Sequence, residues 1–452
     1  MGATIKDVSR LPISSIMELN MRKVLLLTNL PVRDGPTDSI IASHLRNMGV
    51  EVREGIFYPN KIDIRAVNFL PSPREHVLFY KPDMVIGPEA RCQFTIDFYR
   101  NCKSWGIQTV IRRTEGGCPR SAWNVMGDDE KKTVIGAWEY DVDLEIVWAE
   151  DFANLLAENG YIPRERIFAA GAVTFDQNFI PPLRQKIEGR KNLVFCTNWG
   201  HADRNPIYNV PEAPVGSSVH ADAYNRHRKG REDWIELIKL ARAKLGTMWQ
   251  FYLSLKVGEW PNEYQQKLGG IINILGPTVT KALMLNSDLI IQVGSTLALH
   301  AHYNNLPALS YRGLANQTVG YKYPHVCPNY DDPEELIAAI PKVELNKSNA
   351  NPDSIAELSK ELYGIIDGQA CKRVAEKILS LPERSTAIPD VWPPEIKEYP
   401  HEGVSKFVVT WICESCKRPQ YVLDPARDMI SCIHCGVGLA RRQPSLPPEC
   451  RV

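Results

Sequence analysis

Residues 288–310 read DLIIQVGSTLALHAHYNNLPALS, and the internal pattern of this stretch decides the fold class. Leu289 to Val293 is a short apolar run rich in branched residues, as in a buried strand. Gly294-Ser295-Thr296 turns the chain. Leu297 to Asn304 predicts one or two helical turns, and Asn305-Leu306-Pro307 leads into a second apolar strand. Strand, turn, helix and strand in that order make a βαβ unit of a parallel sheet. Such a turn can also hold an anion. The first amides of a helix have no partner within it, and the helix dipole favours negative charge there. Ser295 and Thr296 add hydroxyl donors. A plain N-cap in an ordinary crossover accounts for the same residues, so the rest of the chain has to decide.

The pattern recurs on both sides. Lys23 to Asn29 (KVLLLTN) is a near-continuous apolar strand of the parallel-sheet kind. Leu30 to Pro36 predicts a loop, Thr37 to Met48 a helix, and Val50 to Arg53 a second strand. Further strands are predicted at Met84–Gly87, Thr109–Arg112, Leu144–Trp148 and Ile167–Ala170, with helices at Cys92–Trp105 and Asp151–Asn159. Residues 21–185 therefore predict a doubly wound, Rossmann-like α/β domain, with a hinge around Pro181-Pro182. A second such domain is predicted over 186–380. Its strands are Leu193–Cys196, Met248–Lys256 and Ile271–Leu275, and its helices Glu232–Leu245, Asn262–Leu268 and Thr280–Leu285, ahead of the opening stretch. Residues 202–228 lack periodicity and predict a long loop. Asp331-Asp332-Pro333 caps another helix, and Ile355–Leu379 predicts a helix pair broken at Asp367-Gly368. Residues 1–20 read as a leader. Residues 381–405, with five prolines, read as a linker without helix.

A chain of 452 residues exceeds one ordinary core and predicts two or three domains. Lys plus Arg equals Asp plus Glu, 53 each, so net charge offers no field for nucleic acid or an anionic membrane. No apolar run approaches the ~20 residues of a transmembrane helix, and the N-terminus lacks the apolar core of a signal peptide. A cytoplasmic protein is expected, with peripheral membrane contact and oligomeric state left open. Of eleven cysteines, seven are scattered and four fall in two pairs, which suggests metal rather than disulfides.

Those pairs, Cys413-x2-Cys416 and Cys432-x2-Cys435, stand fifteen residues apart. That is the spacing of a tetrahedral four-cysteine zinc ribbon. Phe407–Trp411 and Gln420–Leu423 predict short flanking strands. A unit of 406–442 is too small to fold on apolar burial alone, so a structural zinc ion would supply the missing stability. Four cysteines leave no open coordination position, and no catalytic metal is expected. Lys406, Lys417, Arg418, Arg427, Arg441 and Arg442 are partly balanced by Glu414, Asp424 and Asp428, so nucleic acid is not an expected partner.

Strand ends supply the remaining candidates, because open α/β sheets hold ligands beyond the carboxyl ends of their strands. Glu115, where a buried strand meets Gly116-Gly117, is placed to take a proton from an attacking hydroxyl. Arg113 could bind an anion there or simply pair with Glu115. Asp34 and Gly35 lie in the first βα connection, at the same edge. In the second domain Lys256 ends a strand and could neutralise a phosphate, or it is a solvated lysine. Thr197 and Asn198 end another and could hydrogen-bond a ligand, or they form a plain turn. No GxGxxG follows the first strand, so NAD is not an expected cofactor.

Several segments together resemble GT-B glycosyltransferases of bacterial surface-carbohydrate biosynthesis, akin to Kdo and sialic-acid transferases and more distantly to nucleotide-sugar 2-epimerases. They are KVLLLTN, RRTEGG (112–117), VWAEDFANLLAENGY (147–161) with IFAAGAVTFD (167–176), FCTNWGHADRN (195–205), the opening stretch, and IIDGQACKRVAEKIL (365–379). The resemblance covers 21–380. It implies two Rossmann-like domains across a hinge, the first taking the acceptor and the second the nucleotide-sugar donor. It implies Glu115 as base and Ser295-Thr296 as holders of the donor phosphate. The chain departs from the pattern at Lys256-Val257-Gly258-Glu259-Trp260-Pro261, where the family carries His-Pro. It departs again at His300, where many members place a glutamate for the donor ribose. The zinc ribbon is outside the family pattern.

The implied function is an inverting, metal-independent glycosyltransferase. It would move a sugar, for instance a CMP-linked ulosonic acid, from a nucleotide donor to a glycan hydroxyl in surface polysaccharide biosynthesis. Two alternatives stay open: a nucleotide-sugar epimerase, and a non-catalytic carbohydrate- or nucleic-acid-binding protein of the same fold.

Overall fold

The computed structural model describes residues 21–28, 31–57, 73–89, 93–114, 116–127, 142–180, 191–199, 218–256, 261–275, 286–313 and 326–392, together with Lys131, Glu259 and four short strands near the C-terminus. Among the described residues, two six-stranded sheets organise the chain. The first contains β1 (Lys23–Thr28), β2 (Glu51–Ile56), β3 (Met84–Pro88), β4 (Gln108–Arg112), β5 (Leu144–Val147) and β6 (Ile167–Ala169), in the order β2-β1-β3-β4-β5-β6. The second contains β7 (Lys191–Cys196), β8 (Trp249–Ser254), β9 (Asn273–Leu275), β10 (Leu289–Gln292), β11 (Ala308–Tyr311) and β12 (Asn329–Tyr330), in the order β12-β11-β10-β7-β8-β9. Every pairing in both sheets is parallel.

Strands β3, β4, β5, β10 and β11 are buried at every position. Parallel strands covered by helices on both faces need continuous apolar runs, which is why these segments show no alternation. Each sheet also has a place where the chain reverses its direction of growth. It lies between β1 and β3 in the first sheet and between β7 and β10 in the second. Crossover helices leave to opposite faces at such a point and open a crevice beyond the strand ends.

The helices are α1 (Pro31–Asn47), α2 (Pro73–Tyr80), α3 (Gln93–Ser104), α4 (Arg120–Val125), α5 (Glu150–Glu158), α6 (Ser218–Leu245), α7 (Pro261–Leu268), α8 (Leu297–Tyr303), α9 (Pro333–Ala339), α10 (Pro352–Leu358) and α11 (Ala370–Leu379). α2 and α4 stand where no helix was expected, and two expected loops are helical in part. The loop predicted at 30–36 is instead the start of α1, with Pro36 inside the helix. Proline is tolerated in a first turn, and Asp34 suits the positive end of the dipole; Pro36, past that turn, forfeits a ladder bond and crowds the carbonyl four residues before it. The loop predicted at 202–228 is helical from Ser218 onward. The HADAYNRHRKG segment reads as mostly polar, with no sustained run of apolar residues at helical spacing. Its alanine, arginine and lysine still favour helix. Residues 201–217 and the helix expected at Thr280–Leu285 lie outside the described residues.

The end of the chain's second series packs on the first domain. Cys371, Val374, Ala375 and Ile378 of α11 share a core cluster with Ile41 and Leu45 of α1. The Cys371 amide donates to Asp176 Oδ2 at 2.6 Å, and Arg373 Nε donates to the Ala170 carbonyl at 2.8 Å. The returning chain passes so close to the first domain that a Cβ on Gly364 (φ 63°) would lie 2.2 Å from the Trp148 carbonyl oxygen. Only glycine fits there.

Part of the expected linker is docked. Gln108 Nε2 donates to the Pro382 carbonyl at 2.7 Å, and the Ala387 amide donates to Trp105 O at 2.8 Å. Arg384 pairs with Asp143 at 2.8 Å, and Trp392 stacks on Phe98 with ring centroids 5.5 Å apart. Prolines remove donors but leave acceptors and apolar surface for such a strap. Near the C-terminus β13 (Val409–Ile412) pairs antiparallel with β14 (Pro419–Val422), and β15 (Met429–Ser431) with β16 (Gly438–Ala440). The proposed zinc ligands Cys413, Cys416, Cys432 and Cys435 lie outside the described residues, as does the leader.

Candidate functional site

The carboxyl edge of the second sheet assembles most of the donor candidates at its switch point. The Thr197 amide donates to Ser254 O at 3.0 Å, and its hydroxyl accepts from the Lys256 amide at 3.0 Å. These bonds join the ends of β7 and β8. Asn198 reaches the other way: its Nδ2 donates to the Val293 carbonyl at 3.3 Å, just beyond β10. Its Oδ1 accepts from Lys256 Nζ. One amide side chain thus links a lysine to the residue that precedes Gly294.

Gly294 takes a left-handed backbone (φ 49°), a conformation glycine adopts at no steric cost. The Ser295 amide donates to Gln292 Oε1 at 2.8 Å, and Ser295 Oγ accepts from the Leu297 amide at 3.3 Å. Side chains of β10 and of the turn thus already engage the Ser295 and Leu297 amides. Thr296 precedes α8 without capping it through its hydroxyl. Thr197, Asn198 and Lys256 are in direct contact, then, with Gly294, Ser295 and Thr296 following from the same Val293 anchor.

α8 also makes the joint between domains. His300 stacks on Phe175 with centroids 4.3 Å apart, and its Nδ1 lies 3.1 Å from Asn178 Oδ1. Asn304 Nδ2 donates to the same oxygen at 3.1 Å. At the position where the family resemblance implies a ribose ligand, His300 is engaged across the domain boundary.

The first sheet presents buried charge at its own switch point. Asp34, Asp38, Glu89, Arg112 and Arg113 are all buried. Asp38 and Arg112 pair at 2.7 Å, and the Thr28 hydroxyl donates to Asp38 Oδ2 at 2.7 Å. Burial pushes the Asp38 carboxyl up to about 6, against the opposing pull of Arg112. Burial opposes the charge on Arg112 as well, but Asp38, Asp34 and Glu89 around it outweigh that and raise its pKa. Three carboxylates about one guanidinium make this edge of the sheet acidic.

Glu89 was not among the sequence candidates. It follows β3 directly and accepts from the Thr114 hydroxyl and amide, each at 3.3 Å. The available signal was an acid placed immediately after a buried strand. Glu115 itself lies outside the described residues, between Thr114 and Gly116. Arg113 donates from Nε to Glu145 Oε1 at 2.6 Å and lies over the Phe152 ring at 5.3 Å. Gly35 faces open space within α1. Among the described residues no group of three or more His, Cys, Asp or Glu side chains is arranged to hold a metal. No described helix is long and apolar enough to cross a membrane.

No protein-family model matches the chain, and no curated protein matches its sequence. Solved structures with a similar course exist. The UDP-GlcNAc 2-epimerase of Methanocaldococcus jannaschii is 14% identical with a TM-score of 0.48, over 79% of this chain and 99% of that one. The epimerase of Neisseria meningitidis is 14% identical with a TM-score of 0.44, over 79% of this chain and all of its own. The wall teichoic acid polymerase TagF is 12% identical with a TM-score of 0.49, over 80% and 89% respectively. At these values the likeness says nothing of chemistry, and the reading of the site rests on this chain's own residues.

Proposed function

We propose that the chain is a sugar-transferring enzyme that takes its donor as a nucleotide sugar on the second domain and its acceptor on the first. The observation that carries this reading is the Asn198 bridge, which groups a lysine, a hydroxyl and a Gly-Ser-Thr turn at one switch point. A cation beside hydroxyl groups at a helix N-terminus is what a leaving phosphate requires. The acidic edge of the first domain complements it. In the finer form of the proposal, an acceptor glycan hydroxyl attacks the anomeric carbon while Glu115 takes its proton. The bond from that carbon to the phosphate oxygen breaks, and Lys256, Ser295 and Thr296 stabilise the departing charge. One displacement inverts the anomeric centre and needs no catalytic metal. A CMP-linked ulosonic acid is the donor the family resemblance suggests, with surface polysaccharide as product. The zinc ribbon at Cys413, Cys416, Cys432 and Cys435 belongs to the same proposal as a structural unit.

Thermal shift against CMP, UDP, GDP and CDP sugars tests the donor half, since a ligand of the native state raises the melting temperature by mass action. Lys256→Ala is expected to weaken the responding donor by about tenfold or more, the worth of a hydrogen bond to a charged group. Glu115→Gln is expected to abolish transfer while donor binding persists. Wild-type turnover in that variant, with a verified donor, ends the base assignment.

A second reading has its own observation. Glu89 is hydrogen-bonded to Thr114, the residue before Glu115 in the chain, so a second carboxylate is held beside the backbone that leads to the proposed base. An acid and a base acting on a single nucleotide sugar would make the protein an epimerase. Product analysis without any acceptor separates the two: a new epimer appears only under the second reading.

A further inference from the structure

The loop after β8 is where the chain departs from the family pattern, and it carries a buried carboxylate. Glu259 is 2% exposed. A buried carboxylate is tolerated only when its oxygens are hydrogen-bonded, and both of these are. One accepts from the Trp199 amide, in the loop after β7, and the other from the Tyr264 hydroxyl of α7 at 2.8 Å. The Glu259 amide donates to the Lys256 carbonyl at 3.0 Å and closes the turn that carries Lys256. Trp199 is itself immobilised. Its indole lies against Gly230 of α6 so tightly that a Cβ there would sit 2.3 Å from the ring. Asn198 therefore stands between two anchored neighbours: Thr197, bonded to Ser254 and Lys256, and Trp199, held by Glu259.

We infer that Glu259 is a positioning residue: its carboxylate joins the loop after β7 to the loop after β8 and so holds Asn198 and Lys256 in register with the Gly294 turn. This rests on the reading of that edge as the donor-phosphate site. Glu259 acts through Trp199 and Lys256. The chemistry explains the residue type. Two groups that face it, an amide and a phenol, are both donors, and a carboxylate supplies two acceptors where a glutamine supplies one. Side chains that fix a ligand-binding group through such bonds set affinity without touching the ligand.

Two measurements on the full-length chain test it. The first needs no ligand. In Glu259→Gln, amide hydrogen exchange over residues 197–199 and 255–259 is expected to quicken by about tenfold or more, while β7 and β10 keep their protection. Unchanged exchange in both loops overturns the inference. The second is a double-mutant cycle read by titration with UDP and with CMP. Glu259→Gln is expected to weaken nucleotide binding about tenfold in the wild-type background but under about twofold beside Asn198→Ala, because groups acting through one another are not additive. An equal loss in both backgrounds assigns Glu259 to general stability and overturns its positioning role. If Glu259→Gln does not fold, Tyr264→Phe, which removes one donor to the same carboxylate, takes its place. A loss of about two- to fivefold that vanishes beside Asn198→Ala is then expected. Loosened loops in a protein that binds none of UDP, CMP, GDP and CDP leave the join between the loops standing and end the donor-site reading.

Discussion

The Asp38 carboxylate meets the Arg112 guanidinium at 2.7 Å, with the two side chains 1% and 3% exposed. Asp38 belongs to α1 and Arg112 to the end of β4, so the pair ties the first crossover helix to the sheet beside the switch point. Removing Asp38 takes the largest of the carboxylate attractions from a guanidinium that stays buried. Asp38→Ala is expected to lose ~3–5 kcal/mol in equilibrium urea unfolding, and the apolar double replacement Asp38→Leu with Arg112→Met to recover much of it. A loss below ~1 kcal/mol would place the pair among solvated ones.

His76 sets an acid limit on stability. It lies buried on α2, so close to β2 that a Cβ on Gly55 would sit 2.9 Å from its Nε2. Burial, with Arg53 adding to it, lowers its pKa from 6.5 to about 4. The folded value is the lower one, so between the two the unfolded chain binds more protons. The contribution is therefore whole above about pH 6.5 and is lost as the pH falls toward 4. His76→Leu is expected to flatten this part of the pH profile. Urea midpoints taken at about pH 7.5 and about pH 4.5 check it, and an unchanged difference between them contradicts the assignment.

Gly230 is a helical glycine that alanine should not improve. Alanine gains ~1 kcal/mol of helix propensity, but its Cβ would lie 2.3 Å from the buried Trp199 ring. Overpacking costs ~1–3 kcal/mol, and the rigid indole cannot yield like a flexible chain end. Gly230→Ala is expected to lower the melting temperature and, by shifting Trp199, to weaken nucleotide binding as well. A stabilised variant would show that the ring moves freely.

The C-terminal cysteines make a metal prediction. Purified protein is expected to hold one zinc per chain, lost in Cys413→Ser. Removal by chelator is expected to unfold the 406–442 unit and leave the two α/β domains intact, since metal binding supplies the folding energy of so small a module. Metal analysis alongside far-ultraviolet circular dichroism checks both halves. A metal-free wild-type protein sinks the zinc ribbon.

Much of the architecture could be read locally. A run such as Leu289–Val293 followed by Gly294-Ser295 specifies strand and turn within a few residues, because burial on both faces demands unbroken apolar side chains and the bend demands glycine. Local reading failed at α6, whose opening turns show no apolar stripe, and at 382–392, where proline-rich composition hid a strap anchored by Trp392 on Phe98.

By itself, then, the sequence determined two parallel α/β halves, the Gly294 turn and the cysteine spacing, all features written in neighbouring residues. Only the tertiary structure decided which strand ends meet. Asn198 reaches Val293 over 95 positions of chain, and Trp199 reaches Glu259 over 60. These partners are chosen by sheet order, which depends on how whole crossover helices pack and which no local pattern of residues records.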